Sequence, residues 1–141
     1  MTKQSEDLSY PLAENDPEQV VGGRGLNLDQ ITMDGVLSGK ISMEDLRITS
    51  SSLLAQASIA RAAGRTKLAA NFERAAEMVS LSSHEIFEIY ELLRPGRARS
   101  PADLMQKAQY LREARNAKNL SEVLEEAATV YEKRELFNKR F

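Results

Sequence analysis

Few side chains in this 141-residue sequence could carry chemistry, and their spacing limits what each could do. Glu73 and Glu77, and likewise Glu122 and Glu126, stand four residues apart, which puts each carboxylate pair on one helix face. A carboxylate-bridged di-metal bundle would need two Glu-x-x-His pairs on facing helices. His84 is the only histidine, so that site cannot be assembled, and both pairs read as solvated helix faces. His84 lies at a helix start beside Ser82, Ser83 and Glu85; without a second polar partner it reads as a surface residue rather than an acid–base catalyst. With no cysteine there is no disulfide, thiolate metal site, iron–sulfur cluster or Cys nucleophile. Gly22-Gly23-Arg24-Gly25 has the glycine content of a phosphate loop, but Leu26-Asn27-Leu28 follows where a Lys-Ser/Thr pair opening a helix is required. A flexible turn is the expected role. Arg94, Arg97 and Arg99 surround Pro95-Gly96, and two readings stay open: docking on a partner's phosphates or carboxylates, or complementing a helix C-terminus. No catalytic, cofactor-binding or metal-ligating residue is assigned.

Composition agrees with a chain that does little chemistry by itself. Nineteen basic against 21 acidic side chains give a net charge of -2, too little for bulk attraction to nucleic acid or an anionic membrane, and no nucleic-acid or membrane partner is expected. The hydrophobic fraction of 42% falls slightly below the ordinary range of about 45–50%, so a modest core and partner-covered surface are expected. The longest apolar runs are a few residues, and the start, Met1 to Ser9, is polar and acidic, so a cytoplasmic protein is expected. Charge is unevenly divided: residues 1–49 hold four basic and nine acidic side chains, residues 50–141 hold 15 and 12.

The elements that must position these groups are helical. Residues 1–26, with Pro11, Pro17 and the glycine cluster, lack long-helix periodicity and read as an extended arm ordered by a partner. Residues 27–141 form the helical domain. Thr32 caps a short helix that stops at Gly39, and Ser42 with Asp45 offers a second start. Leu53, Leu54, Ala57, Ala60 and Ala63 mark a helix from about 50 to Gly64; Leu68, Phe72, Ala75, Ala76 and Val79 mark the next. Ser83 is expected to cap a third, with Ile86, Ile89, Tyr90 and Leu93 inward and Pro95-Gly96 ending it. Ser100-Pro101-Ala102-Asp103 opens a helix carrying Leu104, Met105, Ala108 and Leu111, and Ser121 opens the last, running to a basic, frayed end at Lys139-Arg140-Phe141. No stretch alternates as a strand would. The expected fold is all-α, about five principal helices in a small bundle behind the arm.

Several ordered blocks carry a resemblance. Tyr10-Pro11-Leu12-Ala13, Leu28-Asp29-Gln30-Ile31-Thr32, Val36-Leu37-Ser38-Gly39-Lys40 and Asp45-Leu46-Arg47-Ile48-Thr49 are followed by Gln56-Ala57-Ser58-Ile59-Ala60, Asn71-Phe72-Glu73-Arg74-Ala75-Ala76-Glu77 and Ile89-Tyr90-Glu91-Leu92-Leu93-Arg94-Pro95. Together, over roughly residues 10–95, they resemble the small (gamma) subunit of the adenosylcobalamin-dependent diol and glycerol dehydratases. Beyond about residue 112 the similarity thins, and Met1 to Ser9 is too short for the N-terminal extension that some members use in microcompartment packaging. A bacterial microcompartment stays compatible as a location beside the cytoplasm.

The resemblance implies a lyase of large, medium and small subunits, two copies of each, that turns a 1,2-diol or glycerol into an aldehyde and water. It implies a cofactor, adenosylcobalamin, held by the other subunits, with none bound by this chain. The small subunit is then a structural, non-catalytic part of the enzyme, inactive alone. Its expected partner contacts are Tyr10, Pro11 and Leu12 on the arm, with Arg47 and Arg94 as charged contacts. The alternative is a free-standing helical adaptor that binds an acidic partner through Arg94 to Arg99.

Overall fold

The structure, a computed structural model, describes residues 8–137. Contacts divide the chain between Val79 and Ser80 into two compact units. The fold is all-α, as expected, and contains no strand among the described residues. None of these helices is long and apolar enough to cross a membrane.

In the first unit, α1 (Leu12–Asn15) and a 3-10 turn at Pro17–Gln19 lead to an isolated antiparallel bridge between Val21 and Asn27. A second 3-10 turn, Leu28–Gln30, is closed by a capping box between Asn27 and Gln30. α2 (Met33–Leu37) starts as expected at Thr32, whose Oγ1 accepts a hydrogen bond from Gly35 N at 3.1 Å. Gly39 follows its end at φ 73°, a left-handed conformation that glycine adopts without steric cost. α3 (Ser50–Ala62) is capped by Thr49, whose Oγ1 accepts from Ser52 N at 3.2 Å. It turns at Gly64 and packs along its length on α4 (Thr66–Met78). Their seam is built mostly of small residues, Ala57, Ala60 and Ala69 with Phe72 against them, which permits close helix approach. Ser50 Oγ, donating to Ala76 O at 2.9 Å, ties the start of α3 to the end of α4.

The second unit contains α5 (Ser83–Leu93), α6 (Pro101–Ala114) and α7 (Lys118–Lys133). α6 and α7 form the better-filled hairpin. Leu104, Ala108 and Leu111 recur at i, i+4 and i+7 on α6, and Leu120, Leu124 and Ala128 recur on α7; all six are buried. Burying a leucine side chain fully contributes about 1.5–3 kcal/mol, so these leucines form the larger apolar store of the molecule. Tyr131 donates its hydroxyl hydrogen to Leu93 O, fastening α7 to the end of α5.

Three expectations are corrected. Between Leu12 and Gln19 the arm is not extended: Pro11 O and Leu12 O accept backbone hydrogen bonds that wind it into helical turns. The first seven residues of that arm, and the expected basic end at Lys139-Arg140-Phe141, lie outside the described residues. α5 is capped by Ser82, not Ser83: Ser82 Oγ accepts from Glu85 N at 3.2 Å while Glu85 Oε2 accepts from Ser82 N at 2.8 Å. α7 begins at Lys118, not Ser121, because Asn116 at φ 52° makes the turn and lets Ala117 N reach Leu111 O at 2.9 Å; Ser121 is buried inside the helix.

Candidate partner interface

The polar constellations that the fold builds are structural clasps. In the first unit Asp45 is almost fully buried. Its Oδ1 accepts from Arg24 Nε at 2.6 Å, and its Oδ2 accepts from a terminal nitrogen of Arg24 and from Ser42 N at 2.8 Å. Arg24 also donates to Lys40 O at 2.9 Å. Arg24 first, and then the Ser42 amide, hold the Asp45 carboxyl at a pKa of about 2, because each of these donors favours the charged form. Gly22 is required by proximity: a Cβ there would stand 2.4 Å from Asp45 O. The Gly22–Gly25 turn is therefore a tightly fitted piece rather than the flexible turn expected, and it carries the cation that neutralises Asp45.

In the second unit, Glu85 has the corresponding role with more donors. It accepts from Ser82 N and Ser82 Oγ, both at 2.8 Å, from Tyr110 Oη at 2.9 Å and from Arg115 Nε at 2.6 Å. The Ser82 backbone amide contributes most, followed by the Ser82 hydroxyl and Arg115, and the Glu85 carboxyl lies at about 2. Both carboxylates are saturated with local donors, which makes them anchors rather than proton-transfer groups. Among the described residues no group of three or more His, Cys, Asp or Glu could hold a metal ion. His84 is exposed, with Nδ1 3.7 Å from Glu88.

What the Asp45 clasp positions is apolar surface. Between Leu28 and Ile48 the chain displays Leu28, Met33, Val36, Leu37, Met43, Leu46 and Ile48 to solvent, with Leu37 78% and Met43 75% exposed. Isolated exposed apolar residues are ordinary; seven large ones within 21 residues are the mark of a surface meant for cover. Beside them runs a shallow groove of about 360 Å³, lined by Val20, Leu26, Ile31, Leu46, Ile48 and Arg47 among others.

The five residues expected at the interface are divided between the two units. Tyr10 is 74% exposed and Pro11 half-buried, but Leu12 is only 4% exposed and finds its cover within the chain. Arg47 lines the groove and pairs with no carboxylate among the described residues. Arg94 belongs to the second unit, where it donates to Glu91 Oε1 at 2.8 Å. Sequence reasoning missed Met33, Leu37, Met43 and Ile48, whose signal was apolar residues in a five-residue helix and in the turn and coil that follow it, too little structure to bury them.

Comparison with known proteins gives this surface a context. The family model described as dehydratase small subunit matches residues 5–138. The propanediol dehydratase small subunit of Citrobacter freundii is 43% identical over 125 residues, covering 89% of this chain and 72% of the relative. The protein of the same name from Salmonella typhimurium strain LT2 matches with the same identity and coverage. A match over nearly the whole chain, through both hairpins and the apolar stretch between Leu28 and Ile48, shows that the chain belongs to the dehydratase small-subunit family.

Proposed function

We propose that this chain is the small, non-catalytic structural subunit of a cobalamin-dependent dehydratase that converts a 1,2-diol, propanediol or glycerol, to an aldehyde and water. The names of its relatives favour propanediol. The observation that carries the reading is the exposed apolar stretch from Leu28 to Ile48, fixed in place by the Arg24–Asp45 clasp. Such a surface gains free energy only when another chain removes it from water, at about 25 cal/mol per Å² of apolar area. Tyr10, Pro11 and Arg47 extend the same contact, and Leu12 supports it from inside.

The partners are the large and medium subunits, two copies of each with two of this chain. Adenosylcobalamin would supply the radical chemistry and is assigned to those subunits. Among the described residues no group of three or more His, Cys, Asp or Glu could hold a metal ion, and the His84 imidazole stands in solvent beside Glu88. The complex works in the cytoplasm, free or packaged in a bacterial microcompartment.

The test is co-expression with the large and medium subunits of one operon, followed by size-exclusion chromatography. The chain is expected to elute with the high-mass complex and to show no diol turnover alone. A stable monomer that ignores both subunits would overturn the reading and favour the free-standing adaptor.

A further inference from the structure

α5 has an open face that the first unit's apolar stretch does not include. Only Glu85 and Ile89 of its eleven residues are buried, and α6 packs on it lightly. On the open face Phe87 is 67% exposed and Tyr90, expected to face inward, is 58% exposed, their rings meeting edge to face with centroids 6.3 Å apart. The Arg94 guanidinium lies over the Tyr90 ring, 5.8 Å from its centroid.

Charge on this face is unbalanced. Glu85 is taken by Arg115 and Glu88 by Lys107, each at 2.6 Å. Glu91 is shared by two guanidiniums, Arg94 at 2.8 Å and Arg97 at 3.6 Å, and with Asp103 in the same groove the described face sets five cations, Arg94, Arg97, Arg99, Lys107 and Arg115, against four carboxylates, Glu85, Glu88, Glu91 and Asp103. The Arg99 side chain pairs with no carboxylate among the described residues; only its backbone N–H is used, donating to Asp103 Oδ2 at 2.8 Å. Arg94 is the C-cap of α5, so one cation already suffices for the helix terminus. Arg97 and Arg99 follow a turn through Gly96 at φ 80° and lie beyond that terminus. Exposed aromatics beside surplus arginines are the composition of interface hot spots.

We propose that the face from Phe87 to Arg99 is a second docking surface, and that its occupant is an acidic segment of another dehydratase subunit bearing apolar side chains. The apolar side chains cover Phe87 and Tyr90, and carboxylates pair with Arg97 and Arg99. This rests on the reading of the chain as a dehydratase subunit.

The test uses the full chain assembled with the large and medium subunits. The variants are Arg97→Glu with Arg99→Glu, Arg97→Lys with Arg99→Lys, and Phe87→Ala with Tyr90→Ala. Each is first checked for an unchanged melting temperature as the free chain. Charge reversal is expected to weaken association about tenfold or more at about 0.1 M salt, and much less at about 1 M, where screening is short-ranged. The lysine pair should keep most of the affinity, and the alanine pair should lose affinity at both salt levels. Wild-type assembly with all variants joining equally would overturn this inference alone, as would tighter binding on charge reversal, which would mean a basic partner. A wild-type chain that stays apart would overturn the subunit reading and this occupant together.

Discussion

The two units each contain a helical hairpin, but they fill it differently. In α3–α4 the seam is alanine, with Leu53, still 6% exposed, the large apolar side chain buried there and Phe72 only partly buried. In α6–α7 it is leucine, with Leu104, Leu111 and Leu124 wholly inaccessible. The unit with the thinner core also leaves more of its large apolar residues outside, above all from Leu28 to Ile48, than the second unit, where Phe87, Tyr90, Met105 and Tyr110 are exposed. Apolar content is thus divided between inward and outward use. The second unit places its leucines in its own core, and the first leaves methionines and leucines in solvent. A buried carboxylate is clasped by an arginine in each half: Arg24–Asp45 ties together parts of the segment that precedes α3, and Arg115–Glu85 pins α5 to the α6–α7 hairpin.

The largest expected effect is in the leucine seam. Leu111→Ala or Leu124→Ala should destabilise the second unit by about 2–5 kcal/mol, read as a loss of denaturant midpoint. A loss under about 1 kcal/mol would mean that this core is not the self-sufficient one. In the alanine seam the harmful change has the opposite sign in volume: Ala69→Leu should cost about 1–3 kcal/mol by overpacking. If it stabilises the chain, the seam holds unfilled space and the contrast between the hairpins fails. Gly22→Ala, which drives a Cβ into Asp45 O, should lower the melting temperature of the first unit and leave amide-exchange protection in α6 and α7 unchanged.

Acid offers a finer comparison. Asp45 and Glu85 titrate near 2 in the folded chain, below their usual 3.8 and 4.5. A carboxyl whose folded pKa is depressed contributes stability at neutral pH that is lost as pH falls from about 4.5 toward 2. Both units should therefore loosen across that window. Asp45→Asn should remove this pH dependence from the first unit only, and Glu85→Gln from the second only, as followed by amide exchange. Smallest of all is the effect on the free chain of Met33→Ser with Leu37→Ser, expected within about 0.5 kcal/mol because both side chains are already in water. The same pair should sharply reduce recovery of the complex, the inverse of the Leu111→Ala pattern.

Much of the helical scaffold was legible because its signals are local. Thr32 as a cap, Gly64 as a break and Pro101 at a first helical position each act within four residues, and each stands where the sequence indicates. Ser82 was also within reach, since Ser82-Ser83-His84-Glu85 has the spacing of a capping box. The start of α7 was less accessible, because a left-handed Asn116 is a tertiary choice that lets Ala117 N close on Leu111 O. The Arg24–Asp45 clasp joins residues 21 apart, and no periodicity announces such a pair. The interface was hardest to read. Periodicity finds apolar residues that face inward along a long helix, whereas Met33, Leu37 and Met43 occupy elements of about one turn and face out.

The central claim is that the first unit's exposed apolar stretch is covered in the working complex. It is tested most directly by hydrogen–deuterium exchange on the chain alone and on the complex with the large and medium subunits. Protection should rise across residues 28–48, with little change in the α6–α7 hairpin, whose core is already closed. Protection gained only in α6–α7, with residues 28–48 exchanging as freely as in the isolated chain, would contradict it.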